Sequence, residues 1–241
     1  MNKEDKWMEK RLGMITASEL SNIMSKSGKI IDTNISYIRS KRWERTHGFS
    51  HPVSSRTMEI GNEQEPMIYR WTMENAGFNE IIYSKNLPDI PFWVSDDCPM
   101  GASPDAFVPS ERVVFEFKTL VGATSIEFFG DYFTSYEEKK SAVWSEHGDQ
   151  ILGLFISNRN VEQVKLVKYI YQDDNIMKDL DSPLKPWRGI VFTFDRKDYE
   201  ASIQYMKERI ILFDAMIASQ MNPSDFKSGE WFVSNGKLMK K

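Results

Sequence analysis

Residues 113–120, V-V-F-E-F-K-T-L, alternate with a period of two. As a strand, this segment turns Phe115, Phe117 and Thr119 to one face and Glu116 with Lys118 to the other, one face for the core and one for chemistry. A short turn at Pro109-Ser110-Glu111 predicts that the strand before it folds back alongside. From Gly61 to Asn75 the spacing changes to a helical one. Ile60, Ile68 and Trp71 suit burial, Glu65 falls on or beside the same inner face, and Pro66 is expected to tilt or interrupt the helix. The same reading along the chain predicts helices near 17–25, 33–47, 57–76, 136–157 and 197–220. Strands are predicted near 80–84, 91–95, 100–108, 112–119, 163–170 and 188–194. The predicted class is α/β, a mixed central β-sheet flanked by helices. Asp173 to Pro186 reads as a polar, proline-bearing loop, and the lysine-rich end is expected to fray. No repeat, low-complexity tract or linker divides the chain, so one domain over 1–241 is expected, with an N-terminal helical part to about 56, a core of about 57–170 and a C-terminal strand and helix beyond.

Composition narrows the possibilities. With 241 residues, 41% of them hydrophobic and 13% aromatic, the chain can bury a large core. No apolar run approaches the roughly eighteen residues of a membrane span, and M-N-K-E-D-K-W is no signal peptide, so a soluble protein of the cytoplasm is expected. Cys98 is the single cysteine, which excludes an internal disulfide and argues against an iron–sulfur or Cys-rich zinc site. His47 and His51 have tolerable zinc spacing but no companions and read as loop residues, while His147 reads as part of a helix. The absence of G-x-x-x-x-G-K-[ST] predicts no ATP-driven motor. The formal charge of -4 decides little about a polyanionic partner, because local potential draws it in. Positive charge gathers at Lys26 and Lys29, then at Arg39, Lys41, Arg42 and Arg45. The second group is either a solvated helix face or a phosphate-contacting one.

The strongest chemical signal is Ser103-Pro104-Asp105 followed, after ten residues, by Glu116-Phe117-Lys118. Folding back at the turn would bring two carboxylates and an ammonium together. Carboxylate oxygens are the hard ligands that Mg2+ prefers, and the lysine can orient or help deprotonate an attacking water. Such spacing also arises by chance in charged chains. An inward carboxylate between two phenylalanines, however, is costly to keep without a role. Near the N-terminus, Thr16 or Ser18 can cap a helix through Glu19, Leu20, Ile23 and Met24, a terminus that favours anions, and Arg11 can fork onto a phosphate.

Four blocks in order resemble the phage lambda-type exonuclease family of YqaJ-like viral recombinases, which carry a restriction-endonuclease-like PD-(D/E)xK core. They are Trp7 to Met24 with R-x-G-x-I-T-A-S, Gly61 to Glu65, Asp105 with Glu116 and Lys118, and Gln150 in G-D-Q-I-L-G. The likeness spans about residues 7–157. This resemblance implies that Glu65, Asp105 and Glu116, with the backbone carbonyl of Phe117, hold one or two Mg2+ ions, Mn2+ substituting. Lys118 and Gln150 position the attacking water. The resemblance gives Arg11 and Ser18 the 5'-phosphate of the strand being digested and Met58 the part of an apolar wedge at the strand fork, while Thr16, Lys26 and Lys29, beside that phosphate site, are expected either to contact DNA or to be ordinary turn and surface residues. It further implies 5'-to-3' digestion of linear double-stranded DNA to a 3' overhang, a ring-shaped homotrimer, a single-strand annealing protein as partner and a phage or prophage recombination system. Two alternatives share these residues: an endonuclease of restriction or repair type, and a DNA-end-binding protein without catalysis.

Overall fold

The computed structural model describes residues 2–25, 28–50, 55–121, 135–170, 184 and 186–241. Strand β6, Val113–Leu120, is the centre of a five-stranded sheet in the order β2-β5-β6-β7-β8, with β2 at Ile82–Tyr83, β5 at Ala106–Val108, β7 at Gln163–Ile170 and β8 at Gly189–Asp195. The predicted hairpin forms. β5 pairs antiparallel with β6, Ala106 opposite Phe115, through a turn in which Arg112 takes a left-handed φ of 57°. β6 and β7 run parallel and in register from Val113 with Gln163 to Leu120 with Ile170. Parallel neighbours need a long crossover, and the helix α4, Tyr136–Ser157, lies within it.

The two-residue period sorts the side chains into two cores. Val113, Phe115, Phe117, Val167 and Tyr169 pack with Met67, Ile68 and Trp71 of helix α3, Arg56–Asn75. Val114, Leu120, Val164, Leu166, Phe192 and Phe194 pack on the other side with Ile151, Leu152, Leu154 and Phe155 of α4 and with Ile203, Met206, Ile210 and Phe213 of helix α5, Glu200–Ala218. Residues such as Phe115 and Phe155 are fully buried, each stabilising the fold by about 2–3 kcal/mol over an exposed ring. Glu116 and Lys118 therefore lie on the α4 side of the sheet.

Helices α2, Asp32–His47, α3, α4 and α5 fall where the hydrophobic period places them. Pro66 does not interrupt α3. Both Pro66 and Asn62, whose carbonyl the missing N–H would have bonded, are exposed, so water can satisfy the freed group. His47 is the last residue of α2 rather than a loop residue, its ring stacked on Trp43 at 3.7 Å between centroids, and His51 lies outside the described residues. The predicted helix over 17–25 is instead a 3-10 turn, Ala17–Asn22. Its end is pinned from far away: Asn34 Nδ2 donates to Asn22 O at 2.6 Å, and Arg209 Nη2 donates to Ile23 O at 2.7 Å.

The predicted strand over 100–108 is two. β4, Met100–Ala102, belongs to a small sheet with β1, Ile15–Thr16, and β3, Trp93–Val94, while β5 belongs to the large one. Ser103-Pro104-Asp105 bridges the two. Two further elements were not expected. Helix α1, Lys3–Arg11, begins with Asn2 and Asp5 capping each other. The lysine-rich end forms the hairpin β9, Trp231–Ser234, with β10, Lys237–Lys240, turning at Asn235 and Gly236, both at positive φ. The expected polar loop near 173–186 lies mostly outside the described residues.

Candidate active site

The hairpin register places Asp105 one position beyond the Ala106–Phe115 pair, level with Glu116. Its main chain is fixed by Asp105 N to Phe115 O at 3.2 Å and Ser84 N to Asp105 O at 2.9 Å, with Ser84 Oγ donating to Pro104 O at 2.5 Å. Phe117 N donates to Asp105 Oδ2 at 2.7 Å, so one carboxylate oxygen is fixed by the strand itself. Glu116, 4% exposed, accepts through Oε1 from Lys118 Nζ at 2.9 Å and from Gln150 Nε2 at 2.6 Å. Its Oε2 is buried with no hydrogen-bond partner among the described residues. Leaving a carboxylate oxygen so costs free energy unless something supplies positive charge. Asp105, Glu116, Lys118 and Gln150, four of the expected site residues, thus converge.

The charges respond to each other. Burial, then the neighbouring negative charges of Glu116 and Glu65, push the Asp105 carboxyl well above the ordinary carboxylate range, against the Phe117 N–H and Lys118. Burial works against the Lys118 ammonium, but Glu116, by charge and by hydrogen bond, and then Asp105 outweigh it and raise its pKa. Glu65 lies on the buried side of α3 as expected, and its Oε2 is bound by Lys85 Nζ at 2.6 Å. Among the described residues no three His, Cys, Asp or Glu side chains form a ready cation-binding cluster. The Asp105–Glu116 pair does suit a hard cation, since it offers only oxygen donors, an orphaned buried oxygen and excess negative charge. Glu65 is the member that Lys85 holds back.

The R-x-G-x-I-T-A-S block has a structural logic of its own. Arg11 ends α1 and Gly13, at φ 71°, turns the chain. A Cβ there would lie 2.6 Å from Arg45 Cγ, and Gly13 N donates to Glu44 Oε2 at 2.9 Å. Ile15 is fully buried. Thr16 is buried too, its hydroxyl donating to Glu19 Oε2 at 2.8 Å, so it braces the turn from inside instead of presenting itself at the surface. Ser18 is exposed, its Oγ 3.4 Å from that of Thr16. The Arg11 guanidinium stacks 4.2 Å over the Trp7 ring. Burial lowers its pKa, with Glu19, Glu116 and Glu44 opposing, which puts it within electrostatic reach of the acid pair. Because the turn is 3-10 and six residues long, its end carries little of the dipole expected of an α-helix.

The basic run on α2 is committed within the chain. Lys41 binds Glu19 at 3.0 Å and Glu44 at 2.9 Å, and Arg45 binds Asp214 at 2.5 Å. Arg42 donates to the carbonyls of Met216, Ile217 and Met221, and Arg39 to Ser224 Oγ at 2.9 Å. This run clamps α5 and the chain as far as Ser224. Lys29 is exposed, Lys26 lies outside the described residues, and Met58 stands 54% exposed in the first turn of α3. Sequence reasoning missed Trp7, whose Nε1 donates to Ser103 Oγ at 2.6 Å and ties α1 to the Ser-Pro-Asp segment. It also missed Lys85 and Lys168. Nothing local to their neighbourhoods in the sequence marks either lysine.

Gln150 is the residue of the Asp-Gln pair that reaches Glu116. Three residues on, Gly153 lets α4 press against the 3-10 turn: a Cβ there would sit 2.5 Å from Ala17 Cβ. The Q-x-x-G spacing joins one contact in the site to one close packing contact.

A mixed sheet with this acid-and-lysine edge defines a protein of nuclease fold, consistent with a PD-(D/E)xK core. Residues 6–144, more than half of the chain, match the model of the YqaJ-like viral recombinase domain, and the chain belongs to that family. The matched stretch ends before Gln150. Among solved structures, an alkaline exonuclease from Laribacter hongkongensis, LHK-Exo, superposes with a TM-score of 0.63 at 19% identity, over 88% of this chain and 92% of that one. LHK-Exo in complex with dAMP gives 0.59 at 21%, over 88% and 94%. A phage related exonuclease from Haemophilus somnus 129PT gives 0.59 at 16%, over 85% and 95%. A comparison with curated proteins finds no match. At these identities the likeness establishes the fold. Among the described residues no helix is long and apolar enough to cross a membrane.

Proposed function

We propose that this chain is a Mg2+-dependent DNA exonuclease that digests one strand of linear duplex from its 5' end and leaves a 3' overhang for recombination by strand annealing. The observation that carries the reading is the convergence of Asp105, Glu116, Lys118 and Gln150 on one edge of β6, with Glu116 Oε2 buried and unpartnered among the described residues. Membership of the viral recombinase family and a fold shared with exonucleases support it.

In this reading Asp105 and Glu116 hold the cation, the Phe117 carbonyl adds a ligand and Glu65 joins after exchanging Lys85. One or two Mg2+ or Mn2+ ions would polarise the phosphoryl oxygen and acidify a water. The protein's own residues do the rest. Phe117 N–H fixes Asp105, and Gln150 and Lys118 together orient Glu116 through Oε1, which leaves Oε2 available to a cation that would bind there. The Lys118 ammonium positions the attacking water and offsets charge on the phosphoryl group in an in-line displacement. Arg11 and Ser18 take the 5'-phosphate, Thr16 braces that loop, Lys26 and Lys29 approach the backbone, and Met58 wedges the fork. A homotrimeric ring around DNA and a single-strand annealing partner complete the proposal.

The test is a 5'-phosphorylated, end-labelled linear duplex incubated with Mg2+. Mononucleotide release from the 5' strand is expected, with no nicking of closed circular DNA. Activity that survives Asp105→Asn would refute the assignment, and nicking of circles would favour an endonuclease.

A further inference from the structure

Lys168 is the most deeply buried charged side chain among the described residues, 2% exposed in the middle of β7, and the proposed chemistry does not use it. A buried ammonium is costly unless it is paired and hydrogen-bonded. Lys168 is the register partner of Lys118 on the adjacent parallel strand, so the two side chains leave the sheet on the same face, about 5 Å apart at their origins. Like charges placed side by side repel. The structure gives each its own acid: Lys118 Nζ binds Glu116 Oε1 at 2.9 Å, and Lys168 Nζ binds Glu146 Oε2 at 2.7 Å and His147 Nε2 at 2.8 Å.

Glu146 is also within electrostatic reach of Lys118, as a further negative charge acting on it after Glu116 and Asp105. It stands on α4, one turn before Gln150, with its side chain 61% exposed. Lys118 therefore has two directions open to it, toward the acids inside the site, Glu116 and Asp105, and toward Glu146 at its rim. Only the first leaves the ammonium where a water could be activated.

We infer that Lys168 is a positioning residue: by occupying Glu146 and repelling Lys118 across the strand pair, it directs the Lys118 ammonium onto Glu116. His147, held neutral by burial and by the two lysines, serves as a second acceptor for Lys168 and keeps it in place. Removing the Lys168 charge frees Glu146 to draw Lys118 out of the site. Removing Glu146 as well takes the competitor away. The defect of the first change is thus reversed by the second, which loss of packing cannot imitate.

This inference rests on the proposed nuclease reading, and its test separates the two. Turnover and KM on linear duplex with Mg2+ are measured for the wild type, Lys118→Ala, Lys168→Met, Lys168→Arg, Glu146→Gln and the double variant Lys168→Met/Glu146→Gln, each checked for folding by circular dichroism. Lys168→Met should lower kcat about tenfold with KM nearly unchanged, the double variant should recover to within about threefold of wild type, and Lys168→Arg and Glu146→Gln should stay near wild type. A double variant as slow as Lys168→Met, a Lys168→Met enzyme as fast as wild type, or a Glu146→Gln loss matching that of Lys168→Met would each overturn the inference. If Lys168→Met does not fold, Lys168→Gln replaces it in the same comparison. A wild type without nuclease activity would refute the broader reading alone. A crystal structure of the Lys168→Met protein then decides the inference: Lys118 Nζ moved onto Glu146 supports it, and Lys118 still on Glu116 overturns it.

Discussion

Two charged clusters in this molecule, a basic run along one helix and a set of acids gathered from distant parts of the chain, differ in what they leave unsatisfied. Along α2, Arg39, Lys41, Arg42 and Arg45 each meet an acceptor from elsewhere in the chain. Where β5 meets β6, buried Asp105 feels the negative charges of Glu116 and Glu65, and a carboxylate oxygen of Glu116 is buried and unpartnered among the described residues. The first cluster uses its charge to hold helices together. The second stores repulsion that a cation can relieve. A run of like charge is evidence of a ligand only where the fold has not already supplied the counter-charge.

The contrast is most exposed to refutation at the acids and the lysine. Asp105→Asn, Glu116→Gln or Lys118→Ala should each cut turnover by about 10³-fold or more, close to 4 kcal/mol of barrier, with the fold intact by circular dichroism. On the other side, Arg42→Ala deletes bonds to Met216, Ile217 and Met221 and to Ser219 Oγ. It should cost about 3 kcal/mol in denaturant unfolding, while the remaining folded protein binds DNA with unchanged affinity. A selective loss of DNA binding with normal stability would mean that the α2 run faces nucleic acid after all.

A smaller effect links packing to the site. Gly153→Ala must push α4 away from Ala17, costing about 2 kcal/mol and displacing Gln150 from Glu116. Stability and turnover should fall together. Turnover falling alone would mean that the glycine acts in the site itself.

The smallest effect is on pH dependence, and its sign differs between groups. Asp105 titrates above its unfolded value, so its contribution favours folding at low pH and is lost as pH rises through the unfolded value toward the folded one. Asp105→Asn should therefore stabilise the cation-free protein at neutral pH. His147 is lowered by burial, and Glu146, lying against His147 and bonded to Lys168, is lowered to about 2. Both contribute stability that is lost on acidification, the histidine first. Unfolding curves of Asp105→Asn and wild type between neutral and mildly acidic pH should converge as the pH falls.

Much of this was legible from the chain because it depends on neighbours in sequence. The alternation through Val113–Leu120 fixes which side chains share a face, and the turn after Val108 brings Asp105 level with Glu116. Two misses were local and avoidable: Asn2 with Asp5 is a capping box, and Asn235-Gly236 between alternating residues is a hairpin signal. Others were beyond reach. Nothing near residues 17–25 says that Arg209 and Asn34 will end the helix after six residues, and nothing near Arg42 says that its partners lie some 175 positions away. The partnering of Lys85 with Glu65 and of Lys168 with Glu146 likewise exists only once the strands are aligned.

Divalent-cation binding by the Asp105–Glu116 pair, with its one unpartnered oxygen, can be followed directly by titrating the 241-residue chain with Mn2+ and monitoring bound ion by electron paramagnetic resonance. Saturable binding by the wild type is expected, and Glu116→Gln should weaken it by about 100-fold, the upper end of what loss of an outer-shell partner alone costs a metal site. Equal Mn2+ binding by wild type and Glu116→Gln would contradict it.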